Sequence, residues 1–345
     1  MEMGVRLKTR TLADFCLFLY RFRLMMRFCL VLLLLWTAVH TFGQGTKGRY
    51  TSLAEALKNP YDVKELDLSK TNLTHVPKEV FTLVYLEKLK LTGNKINYLP
   101  EDIGKLLTLT HLDVSFNELS ALPNSIGNLS HLEVLECGRN SIFKLPPTIV
   151  NLKKLRILRI ERNRLAGIPS EICGLTNVEE LALTSNQIKK IPDELGNLVK
   201  VQEINLSQNE LTELPACLGK LKNLQYLDCE SNFISKLPDN LEDLESLQWL
   251  FLGNNQLTSV PASLMRCTGL QKLDLSKNKL TELPNAFARL ENLRVLYLNG
   301  NAIKGLPEAI YNLSLLEKLN LKGIPVSDGD KIALKASLPK ANISY

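Results

Sequence analysis

Apolar residues recur along this chain with a period of 23 residues. From Val63 onward the sequence follows the template LxxLxLxxNxLxxLPxxIxxLxx, in which x is a variable residue. Eleven full units cover residues 63–315 without an insertion or deletion, and a partial twelfth unit begins at Leu316. A fixed period of about 20–50 residues is typical of an array in which each unit packs only on its neighbours. The pattern therefore predicts one elongated repeat domain.

The first half of each unit has the pattern of a β-strand. Apolar residues at template positions 4 and 6 alternate with variable residues at positions 3, 5 and 7, which is the two-residue period of a strand. Leu66 and Leu68 of the first unit, and their equivalents, are predicted to point into a core. The apolar side chains at template positions 11, 14, 18 and 21, in the second half of the unit, are predicted to point into the same core. Because one unit cannot bury this apolar set alone, the units must stack.

Two polar or rigid positions are nearly invariant along the array. Template position 15 is Pro in every full unit, from Pro77 to Pro307, and Pro favours an extended turn outside the sheet because it lacks an N–H and fixes φ. Template position 9 is Asn in ten consecutive units, namely Asn94, Asn117, Asn140, Asn163, Asn186, Asn209, Asn232, Asn255, Asn278 and Asn301. A buried amide can bond backbone groups that a sharp turn leaves unpaired, so we interpret this ladder as structural.

The pattern resembles the leucine-rich repeat family over residues 63–321. Its 23-residue form with LPxxIxxL is similar to bacterial exported and plant intracellular Ras-group-related leucine-rich repeat proteins. The resemblance implies an α/β solenoid, a horseshoe with a concave parallel β-sheet, that serves as a binding module. Position 9 departs from the pattern at Thr71 and Ile324, as expected of terminal repeats.

The N-terminal segment 1–43 has the features of an export leader. The apolar run 28–39 follows Arg27, and it is shorter than the roughly 20 residues that a membrane-spanning helix needs. A basic segment, a short apolar run and small residues before Gln44 are typical of a cleaved signal peptide. Translation alternatively starts at Met25 or Met26. We expect an exported protein (periplasmic, cell-surface or extracellular) without membrane insertion after cleavage, with an uncleaved anchor or a cytoplasmic protein as alternatives.

Segments 44–62 and 322–345 are predicted to cap the two ends of the array. The sequence Ser52-Leu53-Ala54-Glu55 fits a capping box at the start of a short helix. Residues from Ser327 onward fit the start of a second helix. Neither segment contains Cys, so the resemblance does not extend to disulfide-capped members of the family.

Charge and cysteine content narrow the range of functions. Of the net charge of +6, residues 1–43 supply six basic and two acidic residues, and the remainder of the chain has 36 basic and 34 acidic residues. This balance does not predict a nucleic-acid partner.

Five cysteines follow the leader and are interpreted as small core residues, with two of them, Cys173 and Cys217, expected to be partly exposed. They are Cys137, Cys173, Cys217, Cys229 and Cys267.

The sequence shows no motif for catalysis. No phosphate-binding loop, nucleophile motif or metal-ligand cluster occurs, and the four histidines are scattered. We therefore expect no enzyme activity, no cofactor and no metal site.

Candidate binding residues come from the outward strand positions. In units 8–11 these positions include four large aromatic residues, Tyr226, Trp249, Phe251 and Tyr297. Exposed aromatics clustered on one face are typical of protein-binding surfaces, although they could simply pack on each other across strands. The favoured function is recognition of a partner protein through the concave face. The alternatives are an intracellular signalling scaffold of the Ras-group-related type and a carbohydrate-binding surface protein.

A second group of outward residues in units 4 and 5 is charged. Alternating signs on adjacent strands predict mutual salt bridges or, alternatively, the polar rim of a binding site. The residues are Glu136, Arg139, Arg159, Glu161, Arg162 and Arg164.

Overall fold

A computed structural model describes residues 48–345, and residues 50–345 form one compact unit. The predicted leader, 1–43, lies outside the described residues. Among the helices of residues 48–345, none has the length and apolar character needed to span a bilayer.

The described residues form one open sheet whose short strands follow one another in chain order. Neighbouring strands of the repeats pair in parallel with a constant shift of 23 residues, as in Leu66↔Leu89 and Leu89↔Leu112. The strands are β1 Arg49–Tyr50, β2 Glu65–Asp67, β3 Lys88–Lys90, β4 His111–Asp113, β5 Val134–Glu136, β6 Ile157–Arg159, β7 Glu180–Ala182, β8 Glu203–Asn205, β9 Tyr226–Asp228, β10 Trp249–Phe251, β11 Lys272–Asp274, β12 Val295–Tyr297, β13 Lys318–Asn320 and β14 Asn342–Ser344.

The return half of each unit contains a short 3-10 helix, which in most units begins directly after the template proline. The carbonyl of Pro100, for example, accepts a hydrogen bond from the Ile103 N–H at 3.0 Å, and Pro100 itself is extended as predicted. These helices are η1 Lys78–Thr82, η2 Glu101–Lys105, η3 Asn124–Asn128, η4 Pro147–Asn151, η5 Ile172–Gly174, η6 Asp193–Asn197, η7 Ala216–Lys220, η8 Leu241–Asp243, η9 Ala262–Arg266, η10 Asn285–Arg289 and η11 Glu308–Asn312.

One continuous apolar core runs between the sheet and the 3-10 helices. The central residue of every repeat strand points into it, and Leu89 and Leu112 are completely buried. Burying a Leu side chain contributes roughly 1.5–3 kcal/mol to folding, so stacking the units is the main source of stability. The horseshoe solenoid predicted from the repeat is confirmed.

The asparagine ladder joins each unit to the one before it. Asn209 donates hydrogen bonds through Nδ2 to the carbonyl oxygens of Leu206, in its own unit, and Leu183, in the preceding unit, both at 3.0 Å. Its Oδ1 accepts a hydrogen bond from the Ile188 N–H at 3.0 Å. The amide thus satisfies backbone groups of two adjacent turns, which confirms the structural interpretation of the ladder.

Both ends of the array carry a short helix, α1 Leu53–Ala56 and α2 Asp328–Ser337. The predicted capping box at the first is wrong, because the Ser52 side chain makes no capping hydrogen bond. At the second, the Ser327 hydroxyl accepts a hydrogen bond from the Asp330 N–H at 3.1 Å. The chain then forms β14, which pairs in parallel with β13 and was not predicted from the sequence.

Candidate functional site

The open face of the sheet displays two rows of side chains that run across the strands. The first row, from the first residue of each strand, places Tyr226 in register with Trp249. The second row, from the third residue of each strand, places Asp228 in register with Phe251. Because neighbouring strands lie about 4.8 Å apart, side chains of adjacent strands in these rows can touch.

Three of the four predicted aromatic residues form a cluster, which we call the aromatic patch: Tyr226, Trp249 and Phe251. The Tyr226 ring lies 5.9 Å from the Trp249 ring in an edge-on arrangement and 5.4 Å from the Phe251 ring, centroid to centroid. Such contacts stabilise aromatic pairs by about 0.5–1.5 kcal/mol. Trp249 is nevertheless 45% exposed, so mutual packing does not remove the patch from solvent.

Tyr297 is not part of the aromatic patch. It lies two strands from Phe251, and Asp274 stands between them in register. The ammonium group of Lys318 lies 5.2 Å from the centroid of the Tyr297 ring. The structure therefore places Tyr297 on the same face, beside the patch but separated from it by β11.

Acidic residues adjoin the aromatic patch. The Tyr226 hydroxyl donates a hydrogen bond to Oδ2 of Asp228 at 3.3 Å, and Oδ1 of Asp228 accepts one from the Glu230 N–H at 2.9 Å. Burial, followed by the charge of Asp228, raises the pKa of Tyr226. Burial is also the main cause that raises the pKa of Asp228. The phenol therefore stays a neutral hydrogen-bond donor near neutral pH.

A depression of about 160 Å³ lies next to Tyr226 on the open face. The small side chain of Ala182 leaves this space in the second row, and the surrounding side chains are Glu180, Glu203, Asn205 and Tyr226. The depression and the aromatic patch are continuous because they share Tyr226. The sequence signal for it is a small residue, Ala182, among larger outward residues.

The charged group of units 4 and 5 forms part of a chain of ion pairs across four strands. The Arg159 guanidinium donates a hydrogen bond to the Glu136 carboxylate on one side at 2.6 Å. On the other side it makes a bidentate contact with the Glu180 carboxylate, at 2.7 and 2.8 Å. Nε2 of His111 lies 3.1 Å from Glu136. The sequence pattern indicated Glu136 and Arg159 but not His111 and Glu180. His111 lies 25 residues before Glu136 and Glu180 lies 21 residues after Arg159, and these two spacings are the sequence signal that would have found them.

These contacts shift the ionisation of the paired groups. The hydrogen bond from His111 and then that from Arg159 lower the pKa of Glu136 from 4.5 to about 2, against the opposing effect of burial. The contacts with Glu180 and Glu136 raise the pKa of Arg159. The remaining predicted residues are not part of this series of ion pairs. Arg139, for example, lies over the Phe116 ring with its guanidinium 4.6 Å from the centroid.

The five cysteines of the described residues are all free and buried. The expected partial exposure of Cys173 and Cys217 is wrong, since both belong to 3-10 helices and their side chains are buried, 1% and 6% exposed respectively. Burial raises the pKa of each thiol, to about 12 for Cys173 and Cys267. In residues 48–345, moreover, no three His, Cys, Asp or Glu side chains are grouped so that they could hold a metal ion.

Three sequence models of known families match the chain. The model described as leucine rich repeat matches residues 62–119, 176–234 and 268–323. The models described as leucine-rich repeat region and leucine rich repeats (2 copies) match residues 101–202 and 245–287. These matches cover more than half of the chain. The chain belongs to the leucine-rich repeat family. Members of this family generally mediate binding between proteins, and proteins with its fold are typically binding modules without catalytic activity.

Solved structures of leucine-rich repeat proteins share the fold. An internalin (inlF) of Listeria monocytogenes is 23% identical with a TM-score of 0.67, and the match covers 83% of this chain and 88% of the internalin. The chain of the TLR13–ssRNA13 complex is 25% identical with a TM-score of 0.69, covering 85% of this chain and 45% of that chain.

A plant receptor is also similar to these leucine-rich repeats. The ectodomain of the receptor kinase GASSHO1/SCHENGEN3 of Arabidopsis thaliana, solved in complex with CASPARIAN STRIP INTEGRITY FACTOR 2, is 30% identical with a TM-score of 0.57. The match covers 76% of this chain and 36% of the receptor chain. Both this receptor and TLR13 are therefore more than twice as long as the part matched. No curated protein matches the chain in sequence.

Proposed function

We propose that this chain is a non-enzymatic protein-binding module that recognises a partner protein through the concave face of its sheet, with the aromatic patch as the anchor. The observation that carries this proposal is the exposure of Trp249, 45% of its surface, within a cluster in which the Tyr226 ring contacts both other rings. Residues that dominate binding energy are commonly aromatic and lie together near the centre of an interface. Tyr297 flanks this anchor across β11.

The geometry of the sheet supports a macromolecular partner. The sheet runs from β1 to β14 with strands about 4.8 Å apart, so its open face is about 60 Å long. A face of this length can accommodate an interface of standard size. Similar proteins have been solved with bound ligands, one with a protein factor and one with ssRNA. A protein partner suits this chain better than RNA because the acidic side chains of Glu180, Glu203 and Asp228 lie beside the aromatic patch on β7–β9 and would repel phosphates.

The double substitution Trp249→Ala with Phe251→Ala tests the proposal. The wild-type protein is used to capture partners from native extract, and the cross-linked partners are identified. We expect a protein that the wild type retains and the double variant does not. Phe233→Ala is the matched control, because Phe233 is 52% exposed but lies beyond the strand, outside the two rows. Equal capture by the wild type and the double variant would show that the aromatic patch is not the anchor. Competition by cell-wall glycans would instead favour a carbohydrate ligand.

The proposed site of action is outside the cytoplasm, on the strength of the apolar run and basic residues in segment 1–43. Intact mass of the native protein in separated cell fractions tests this. A chain that begins near Gln44 in the extracellular or periplasmic fraction is the expected result. A chain that begins downstream of the apolar run and lies in the cytosol would favour the Ras-group-related scaffold.

A further inference from the structure

The open face between β7 and β10 carries outward charge of one sign. The strand segments 178–185, 201–208, 224–231 and 247–254 contain no Lys, Arg or His. Their acidic residues on the open face are Glu180, Glu203, Asp228 and Glu230. Basic residues occur only on the strands to either side, with Arg159 on β6 and Lys272 on β11. A surface of this kind complements a positively charged ligand.

Two of these carboxylates, those of Glu203 and Glu230, are exposed without a basic partner among residues 48–345, and Glu203 is the one that lines the depression. Glu180 is held by Arg159, and Asp228 accepts hydrogen bonds from Tyr226 and the Glu230 N–H. Glu203 is exposed, and within residues 48–345 no basic side chain pairs with it. It stands in register with Tyr226 on the next strand. An unpaired carboxylate therefore lies beside the edge of the aromatic patch, at the rim of the depression.

The opposite side of the aromatic patch already carries a cation. The ammonium group of Lys272 lies 4.6 Å from the centroid of the Phe251 ring, a distance typical of a cation–π contact. No corresponding contact covers Tyr226 or Trp249 among the described residues. A second cation would consequently approach from the β8 side, where Glu203 and the depression lie, and be kept away from the β11 side by Lys272.

We propose that the partner is a polypeptide segment that places an arginine side chain in this depression, between the Glu203 carboxylate and the Tyr226 ring. This inference rests on the proposed function and specifies the chemistry of its partner. A guanidinium group can stack on an aromatic ring and bind a carboxylate with two parallel hydrogen bonds, which an ammonium group cannot do. The Asn205 side chain also lines the depression, but its carbonyl already accepts hydrogen bonds from the Ser207 N–H and hydroxyl at 3.0 and 2.7 Å, so Glu203 is the acceptor for the guanidinium.

The test uses random twelve-residue peptides displayed on phage and selected on the full chain. Peptides that bind the wild type but not the Trp249→Ala, Phe251→Ala variant should be enriched in Arg. A synthetic copy of an enriched peptide should bind at least about tenfold more weakly when citrulline, its uncharged analogue, replaces the Arg. Glu203→Gln should weaken the Arg peptide by a similar factor and leave the citrulline peptide unchanged. Lysine in place of Arg should give an intermediate affinity.

Glu245→Gln is the matched control, since Glu245 is an exposed carboxylate that pairs with Lys222 away from the open face; it should not change either affinity. Peptides that need Trp249 and Phe251 but show no preference for Arg, or that ignore Glu203→Gln, would overturn the inference and leave the proposed function standing. Selected peptides that bind the wild type and the aromatic double variant equally would contradict both, and so would a selection that enriches no peptide.

Discussion

Asn209 donates a hydrogen bond through Nδ2 to the carbonyl oxygen of Leu183, 26 residues earlier in the chain, at 3.0 Å. This contact crosses from one repeat to the previous one, and the same bond recurs between Asn255 and Cys229 at 2.9 Å. The template asparagine is therefore a connection between units as well as the end of a strand. Removing this side chain should therefore destabilise two units at once.

Replacing Asn209 with Ala is expected to lower the free energy of unfolding by about 2–4 kcal/mol, because buried backbone groups of two turns lose their partner. Urea-induced unfolding followed by circular dichroism measures the change. Asn223 is the control: its exposed side chain donates one hydrogen bond to the Val199 carbonyl, and Asn223→Ala should cost about 1 kcal/mol or less. Equal losses for the two variants would contradict the role assigned to the ladder.

Substitutions in β10 should separate binding from folding, because its residues alternate between the open face and the core. Leu250 is only 1% exposed, and Leu250→Ala should destabilise the fold by about 2–5 kcal/mol. Trp249→Ala should change stability by about 1 kcal/mol, the contribution of its contact with Tyr226. Thermal unfolding of the two variants side by side tests this order. If Trp249→Ala lowered the stability as much as Leu250→Ala does, the Trp249 ring would be part of the structural core rather than a binding residue.

The stability of the array should fall at acid pH in part through Glu136. Its pKa in the folded state, about 2, lies below the ordinary 4.5, so the carboxylate favours the folded state above about pH 4.5 and loses this effect as the pH falls through about 2. The stability difference between the wild type and Glu136→Gln should accordingly shrink over that interval. Denaturant unfolding at several pH values measures it, and a difference independent of pH would contradict the assignment.

The five thiols of the described residues should resist alkylation in the native protein. All are buried, and burial raises their pKa, so little thiolate forms even at about pH 8.5, where a free cysteine is half ionised. Iodoacetamide followed by peptide mass spectrometry should label them only after denaturation. Glu245→Cys, at an exposed position, provides a thiol that should react at once. Rapid native labelling of Cys173 or Cys217 would show that the outer layer opens.

The C-terminal helix α2 should depend on one side-chain contact with the array. The Tyr311 hydroxyl donates a hydrogen bond to Oδ1 of Asp330 at 2.9 Å, near the start of that helix. Tyr311→Phe should increase amide hydrogen exchange across Asp328–Ser337 relative to the wild type. Tyr98→Phe, at an exposed position, is the control and should have no effect there. Unchanged exchange in Tyr311→Phe would mean that the apolar contacts of α2 suffice to hold it.

The sequence alone determined the fold and the orientation of most side chains. A gap-free period of 23 residues places equivalent residues of successive units side by side, so the alternation within one strand assigns Leu250 to the core and Trp249 to the open face. The same argument put Tyr226, Trp249 and Phe251 on one surface. This reasoning works because each unit contacts only its immediate neighbours, whose sequence spacing is fixed.

Only the tertiary structure decided which of the outward side chains touch. Arg159 reaches diagonally to Glu180 as well as straight across to Glu136, and Tyr297 stays apart from the aromatic patch although it shares the row of Phe251. Cys173 is buried rather than partly exposed, and β14 adds a strand outside the repeat. The physical reason is that a repeat fixes where each Cα lies, whereas the direction of a long side chain depends on the sizes and charges of its neighbours in both adjacent units.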